Sequence, residues 1–229
     1  MRTATTTKSV VTEGMRTPWG KADRAWIVAS GIGWTTTPGH GGVKLSRAVN
    51  ARMPDYMRLK GGWYEEDCEW SKVYVALADY LKVWAEQTDL LIEESDTTRR
   101  VDDIVAEAKN TLRSYYPDAY ERFFGETIPE GESYAKDRRT FKARHADDWV
   151  SISVECKNAP DGFVEVLATK GGEERTSAAR ADTKTFLVPE AEYDERPRFG
   201  FVVDPAKHEE LSSLPTWTFL DSTTTKRNK

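Results

Sequence analysis

The spacing of apolar residues in this chain changes from every three or four positions to every second position. That change limits the folds that the chain can adopt. Between residues 66 and 87 apolar side chains recur every three or four positions, at Trp70, Val73, Leu77, Leu81 and Trp84. After residue 149 they recur at every second position, at Val150, Ile152, Val154 and Cys156. The first spacing predicts one face of a helix over residues 66–87, and the second predicts a half-buried strand.

Two further helices are predicted after the first. The second begins at an Asp96 cap and runs to about Tyr115. Its buried stripe is expected to be Val101, Ile104, Val105, Ala108 and Leu112. Residues 117–124 predict a short third helix, because Pro117 is tolerated in a first helical turn.

The segment before these helices carries β signals. Three apolar runs between Asp23 and Leu45 are separated by turn residues and predict a small β-meander with a glycine-rich loop, residues 38–42. Ser46 predicts the cap of a short helical turn that must end by Met53, because the following proline disfavours helical geometry in the residue before it.

The C-terminal part continues with strands. Residues 163–168 predict the return strand of a hairpin, and residues 185–188 and 199–203 predict two more. Helices and strands are therefore segregated, which predicts an α+β fold with a small N-terminal β-meander, a central helical pair and a C-terminal mainly antiparallel sheet.

Length and composition set the expected organisation. The chain has 229 residues, and we expect one α+β domain over residues 15–221 with a possible sub-boundary near 126–140. The polar segments 1–14 and 222–229 are expected to be disordered tails, because they contain too few large apolar groups to offset the entropy of ordering.

Charge and cysteine content exclude several classes of protein. The formal net charge is -5, which is unsuited to a general phosphate binder. No apolar run is long enough to span a membrane, and the two cysteines match no metal or redox spacing. We therefore expect a cytoplasmic protein with reduced thiols, no bound metal, no cofactor and no membrane association.

Aromatic residues near the N-terminus are candidates for a recognition surface. The chain has 8 tryptophans, several of them in glycine-rich or polar surroundings. Such rings either clamp loops onto the core or anchor a partner. The candidate binding residues are Trp19, Trp34, His40, Gly41, Trp63 and Tyr64.

A second hypothesis is catalytic. His40 lies in the glycine-rich loop, and the carboxylates Glu65, Glu66 and Asp67 precede the first long helix. The loop is either an anion-binding site with His40 as acid or base, or an ordinary tight turn. The carboxylates either cap the helix and complement its dipole, or provide acid/base or metal chemistry, which would require His40 and His145 to converge on them.

Two weaker candidates lie further along the chain. His145 and Asp147 precede the clearest strand and are candidates for an oriented imidazole. A basic run between residues 136 and 144 is either a solvated helix face or a nucleic-acid contact. Its members are Lys136, Arg138, Arg139, Lys142 and Arg144.

Several strings resemble an uncharacterised family of small proteins carried by bacteriophages, plasmids and other mobile elements. The resemblance spans roughly residues 17–210 and rests on TPWGKAD (17–23), TTPGHGG (36–42), GWYEED (62–67), HADDW (145–149) and FGFVVDP (199–205). It implies no established activity, cofactor or catalytic residue.

The resemblance and the aromatic residues together give the leading expectation. It is an accessory protein of a phage or mobile element that binds a host protein in the host cytoplasm and counters a host defence system. The alternative is a small hydrolase or nucleotide-acting enzyme that uses His40 with Glu65, Glu66 or Asp67. The sequence does not reveal the partner, the substrate or the oligomeric state.

Overall fold

The computed structural model describes residues 9–88, 92–94, 97–155, 159–173 and 183–211. The chain divides into two compact units, Met1–Asp137 and Arg138–Lys229. The first unit contains the meander and most of the described helices, and the second contains a larger sheet. The fold is α+β, as the segregated pattern of apolar residues predicts.

The N-terminal sheet is antiparallel and four-stranded, in the order β3-β4-β5-β6, and a short hairpin of β1 and β2 precedes it. The strands are β1 Arg16–Thr17, β2 Gly20–Lys21, β3 Arg24–Ala29, β4 Ile32–Thr36, β5 Gly41–Leu45 and β6 Trp63–Glu65. The meander prediction is confirmed. The sequence does not reveal β6, because three residues after a glycine pair are too few to show alternation.

Strand register determines which face of this sheet each aromatic residue occupies. Trp26 pairs with Trp34, Trp34 with Val43, and Val43 with Tyr64, so these four residues form one row on one face. Successive residues of a strand point to opposite faces. Trp63, next to Tyr64 in β6, therefore lies on the other face.

Five helices complete the first unit up to residue 124. They are α1 Arg47–Asn50, α2 Trp70–Ala76, α3 Ala78–Thr88, α4 Val101–Tyr115 and α5 Pro117–Phe124. The Ser46 cap of α1 and the bounds of α5 agree with the predictions, and Ser46 Oγ accepts the Val49 N–H. The predicted 66–87 helix begins four residues later and is interrupted at Leu77, whose backbone is not helical.

The predicted buried stripes form the core of the first unit. Trp70, Val73, Leu77 and Leu81 are buried, and Trp84 packs against them. In α4 the stripe is buried except for Val105, which is half-buried. The predicted Asp96 cap lies outside the described residues, and α4 is preceded by Arg100 as its N-cap.

The N-terminal tail is shorter than the sequence predicts. Residues 1–14 are expected in solvent, but Val11 is only 3% exposed. The absence of a side chain at Gly33 leaves the space that the Val11 methyl groups occupy. The predicted C-terminal tail, residues 222–229, lies outside the described residues. The prediction of a single domain over residues 15–221 stays a prediction.

Two further elements do not follow from the sequence pattern. A two-stranded ribbon pairs β7 Ile92–Glu94 with β8 Thr97–Arg99. Helix α6, Tyr134–Arg144, contains no buried residue. Its sequence lacks an apolar stripe, so periodicity does not reveal it.

The second unit contains a five-stranded antiparallel sheet in the order β12-β9-β10-β11-β13. Its elements are β9 Trp149–Glu155, β10 Phe163–Lys170, β11 Lys184–Pro189, α7 Glu190–Asp194, β12 Val202–Val203 and β13 Glu209–Leu211. Its core includes Val164, Val166, Phe186, Val188 and Phe201. The antiparallel C-terminal sheet is thereby confirmed.

One detail of the β9 prediction is wrong. Alternation places Val150, Ile152 and Val154 on one face, but the β9–β10 register shifts between Leu167 and Ala168. Such a bulge inserts one residue and reverses the faces beyond it. Val150 and Val154 therefore lie on opposite faces of the sheet; Val150 is buried, and Val154 is 37% exposed.

No helix in the described part of the chain combines the length and the hydropathy that a bilayer crossing requires.

Candidate functional site

The His40 loop connects β4 to β5 and is closed by Thr37. The Thr37 N–H and hydroxyl both donate to the His40 carbonyl oxygen, at 2.7 Å each, and the His40 N–H donates to Thr37 Oγ1 at 3.1 Å. Thr37 is itself buried. The loop therefore holds the His40 backbone in place, while 56% of the imidazole side chain remains exposed.

Glu65 is oriented toward this imidazole. One of its carboxylate oxygens, Oε2, accepts the Asp67 N–H at 2.7 Å. The other, Oε1, lies 3.3 Å from His40 Nδ1. The Glu65 N–H donates to Glu69 Oε2 at 3.1 Å, so the strand end is also fixed through its backbone.

Glu66 completes a three-residue cluster. One potential ligand atom from each of His40, Glu65 and Glu66 lies within 4.8 Å of the other two. The Glu66 N–H donates to the Gly41 carbonyl at 3.1 Å, which extends the β5–β6 ladder by one residue. The cluster therefore lies at the end of this strand pair, where the His40 loop enters β5.

The Glu66 carboxylate is packed against the sheet in space left by Gly41. A Cβ at position 41 would collide with Glu66 Oε2 and would lie 2.7 Å from the Thr35 carbonyl oxygen. Burial, followed by the negative charge of Glu65, raises the pKa of Glu66, while hydrogen bonding from Gly41 opposes that shift. Two carboxylates thus lie close together and partly desolvated beside one imidazole.

A cleft lies next to the cluster and shares Glu66 with it. Its volume is about 370 Å³. Three indole rings and three carboxylates line it, together with two threonines: Trp26, Trp34, Trp70, Glu66, Asp67, Glu107, Thr36 and Thr111. Trp26 and Trp34 stack with ring centroids 6.2 Å apart and 21° between their planes. None of the described residues that line the cleft is basic.

The opposite face of the sheet has a separate aromatic pair. Trp19 and Trp63 pack edge to face with ring centroids 5.7 Å apart. Lys44 Nζ lies 4.7 Å from the centroid of the Trp63 ring. Burial lowers the pKa of Lys44. On this face the Trp63 ring is therefore already in contact with a cation, the Lys44 ammonium group.

The candidate binding residues thus do not form one surface. Trp34 faces the helices and the cleft, Trp19 and Trp63 lie on the other face, and His40 lies at the sheet end. Tyr64 is 0% exposed: its hydroxyl donates to Asn50 Oδ1 at 2.8 Å and accepts the Leu59 N–H at 3.1 Å. Gly41 is also buried.

The helix-capping alternative for the carboxylates is wrong. Helix α2 begins at Trp70, and its N-cap is Glu69, whose side chain makes no capping hydrogen bond. Glu66 and Asp67 lie before that turn. Asp67 is exposed and lines the cleft, and it does not belong to the His40 cluster.

His145 is arranged differently from its prediction. Its Nδ1 lies 2.8 Å from Asp148 Oδ2, so the local imidazole–carboxylate pair uses Asp148 in place of Asp147. Another imidazole, His208, is buried between β12 and β13, and its Nε2 lies 3.3 Å from Oε1 of Glu192 in α7. His145 belongs to the second unit, so a catalytic role for it stays a prediction.

The basic run lies on α6, and two of its lysines form ion pairs with carboxylates. Lys136 Nζ lies 2.6 Å from Glu121 Oε1 and donates to the Ile128 carbonyl at 2.8 Å. Lys142 Nζ lies 3.4 Å from Glu173 Oε1. Nucleic-acid binding through Lys136, Arg138, Arg139, Lys142 and Arg144 stays a prediction.

Five residues of the cleft, Trp26, Thr36, Trp70, Glu107 and Thr111, did not emerge as functional candidates from the sequence. Trp26 and Trp70 occur in strand and helix patterns that already explain an aromatic residue as core. Glu107 is one of several charges on α4. The available signal is the i, i+4 spacing of Glu107 and Thr111, which puts both on one side of α4.

Comparison with known proteins places these features in a family. Residues 12–146 match a family described as a domain of unknown function, DUF7007. Neither the curated proteins nor the solved structures include a match to this chain. The matched segment covers more than half of the chain and contains the His40 cluster and the cleft. The chain therefore belongs to the DUF7007 family.

Proposed function

We propose that this chain is a binding protein that captures a basic side chain of a partner protein in the cleft beside β4 and α4. The observation that carries the proposal is the lining of the cleft, where three tryptophans and three carboxylates meet and no described lining residue is basic.

The chemistry of the lining favours a cation. A guanidinium or ammonium group over an indole face gains roughly 0.5–2 kcal/mol, with the larger values where water is excluded. Glu66 and Asp67 add negative charge at the same opening. The cleft volume of about 370 Å³ suits one side chain with its flanking peptide.

An arginine side chain fits this lining better than a lysine side chain. The guanidinium is planar, stacks on aromatic rings and forms paired hydrogen bonds with carboxylates. Trp26 and Trp34 both line the cleft, and their ring planes lie 21° from parallel. We therefore propose an exposed arginine in an extended segment of the partner as the bound group.

The wider setting of the proposal rests on the resemblance. We propose that the chain is an accessory protein of a phage or another mobile element, that it acts in the host cytoplasm, and that the partner is a host protein such as a component of a defence system.

A peptide titration tests the binding mode. We expect an arginine-containing peptide to bind more tightly than the same peptide with citrulline, since citrulline keeps the planar shape and removes the charge. Trp34→Ala should weaken binding of the arginine peptide by about threefold to thirtyfold, which corresponds to the cation–π contribution. Asp67→Asn removes an exposed charge and should weaken it by about fivefold at most. Equal affinity for both peptides would contradict the proposal.

A second candidate function is hydrolysis, and the His40–Glu65 distance of 3.3 Å favours it. In this scheme Glu65 orients the imidazole, and the other imidazole nitrogen accepts a proton from a water molecule as that water attacks the substrate. The same proton then passes to the leaving group. A panel of ester, phosphoester and nucleotide substrates tests this, because any turnover should disappear in His40→Ala and persist in His145→Ala.

A further inference from the structure

The His40 cluster has the donor set of a divalent metal site. An imidazole nitrogen and two carboxylate oxygens are the ligands that Zn²⁺ and Mn²⁺ accept, and three protein ligands leave positions for water. From these three residues we infer that His40, Glu65 and Glu66 bind one divalent transition-metal ion. The inference does not rest on the proposed capture of a basic side chain.

The distances fit a metal-centred arrangement. With metal–ligand bonds of about 2.0–2.1 Å, two ligands of a tetrahedral zinc ion lie about 3.4 Å apart. The distance between His40 Nδ1 and Glu65 Oε1 is 3.3 Å. The third donor lies within 4.8 Å of the other two, which exceeds the tetrahedral separation by at most about 1.4 Å, so a small shift of the Glu66 carboxylate brings it to the same ion.

The surroundings hold the ligands in orientation. Asp67 N–H fixes one oxygen of Glu65 and leaves the other facing His40, while the Thr37 hydrogen bonds fix the His40 backbone. Gly41 donates its N–H to Glu66 and leaves the space that this carboxylate occupies. Such outer contacts typically contribute 10–100-fold to metal affinity.

The electrostatic balance also favours a bound cation. Glu65 and Glu66 are adjacent in sequence and only part-exposed, and their ligand oxygens lie within 4.8 Å of each other, where like charges repel. A divalent ion removes this repulsion because it neutralises both carboxylates. The exposed His40 side chain, at 56%, leaves the ion a route from solvent.

Isothermal titration of the tag-free, full-length chain with Zn²⁺ tests the inference. We expect one site per chain, and we expect the affinity to fall at least about tenfold in His40→Ala and in Glu65→Gln. Ca²⁺ should bind more weakly than Zn²⁺, because it prefers oxygen ligands to an imidazole. Near-ultraviolet circular dichroism confirms that each variant is folded.

Two matched variants distinguish this site from zinc binding elsewhere on the chain. His145→Ala removes an imidazole outside the cluster, and Asp55→Asn removes an 89%-exposed carboxylate outside it, so both should bind Zn²⁺ as the wild type does. Wild-type affinity in folded His40→Ala, or the absence of saturable Zn²⁺ binding to the wild type, would overturn the inference. Zinc binding with no peptide binding would refute the proposed function alone.

Discussion

Trp34 and Trp63 lie on opposite faces of the same four-stranded sheet. Trp34 shares a row with Val43 and Tyr64, and Trp63 immediately precedes Tyr64 in its strand. One face is therefore covered by the helices and opens into an aromatic–acidic cleft. The other presents the edge-to-face pair of Trp19 and Trp63 with Lys44 beside it. A cation is expected to bind only at the first face.

Tyr64 contributes to the fold and not to an accessible surface. Tyr64→Phe should lower the free energy of unfolding by about 1–2 kcal/mol, because it removes the partner of Asn50 Oδ1 and of the Leu59 N–H. Urea denaturation measures this change. Binding of the arginine peptide should be unaffected, and a variant of unchanged stability that loses the peptide would show that Tyr64 contacts the ligand.

The Lys136–Glu121 ion pair makes stability depend on pH. Its hydrogen bond from Lys136, followed by that from the Ile128 N–H, lowers the pKa of Glu121. A carboxylate with a lowered pKa stabilises the fold above its unfolded value of about 4.3, and that contribution is lost as pH falls through the folded pKa.

Lys136→Met tests this linkage. The variant should melt at a lower temperature than the wild type at about pH 7, and the difference should shrink at acidic pH, as the pH falls through the lowered folded pKa of Glu121. Thermal melts across this range measure it. An equal difference at both pH values would show that the ion pair is not the cause.

Gly41→Ala should disturb the metal site more than the cleft aromatics. The new Cβ would meet Glu66 Oε2 and lie 2.7 Å from the Thr35 carbonyl oxygen, so the Glu66 carboxylate must leave its present position beside His40 and Glu65. We expect the Zn²⁺ affinity to fall about tenfold or more. The matched change Gly39→Ala meets no atom within 4 Å and should leave the affinity unchanged. Equal affinities for both variants would contradict this role of Gly41.

Bound zinc should lower the affinity for the basic peptide, and bound peptide should lower the affinity for zinc. Glu66 belongs to both the cluster and the cleft lining, so a bound ion removes negative charge from the cleft. The peptide affinity should fall when the chain is saturated with Zn²⁺, and the zinc affinity should fall by the same factor when the peptide is saturating. Competition titrations measure both. Independent binding would show that Glu66 serves only one of the two sites.

Local periodicity predicts much of this fold. The meander, the buried stripes of α2 to α4 and the C-terminal hairpin follow from patterns that lie within one element. The interruption at Leu77 and the reversal between Val150 and Val154 do not, because each depends on how a neighbouring element packs or pairs. Short β6 carries no pattern of its own, yet it positions Glu65 beside His40.

The candidate site was also predictable only in part from local sequence. The sequence identifies His40, Glu65 and Glu66 as chemically relevant, and the β5–β6 pairing brings them together across 25 residues of chain. Which face each tryptophan occupies depends on a register that only the folded sheet fixes. Trp26, Trp70 and Glu107 were therefore missed, since cleft residues from a strand and two helices share no sequence signal.

A capture experiment with two single variants tests the central claim most directly. The wild-type chain, Trp34→Ala and Trp63→Ala are immobilised at equal density, and binding of the arginine peptide is measured on each. We expect Trp34→Ala to weaken capture by about threefold to thirtyfold and Trp63→Ala to capture as the wild type does. Loss of capture in Trp63→Ala with wild-type capture in Trp34→Ala would place recognition on the other face and contradict the account.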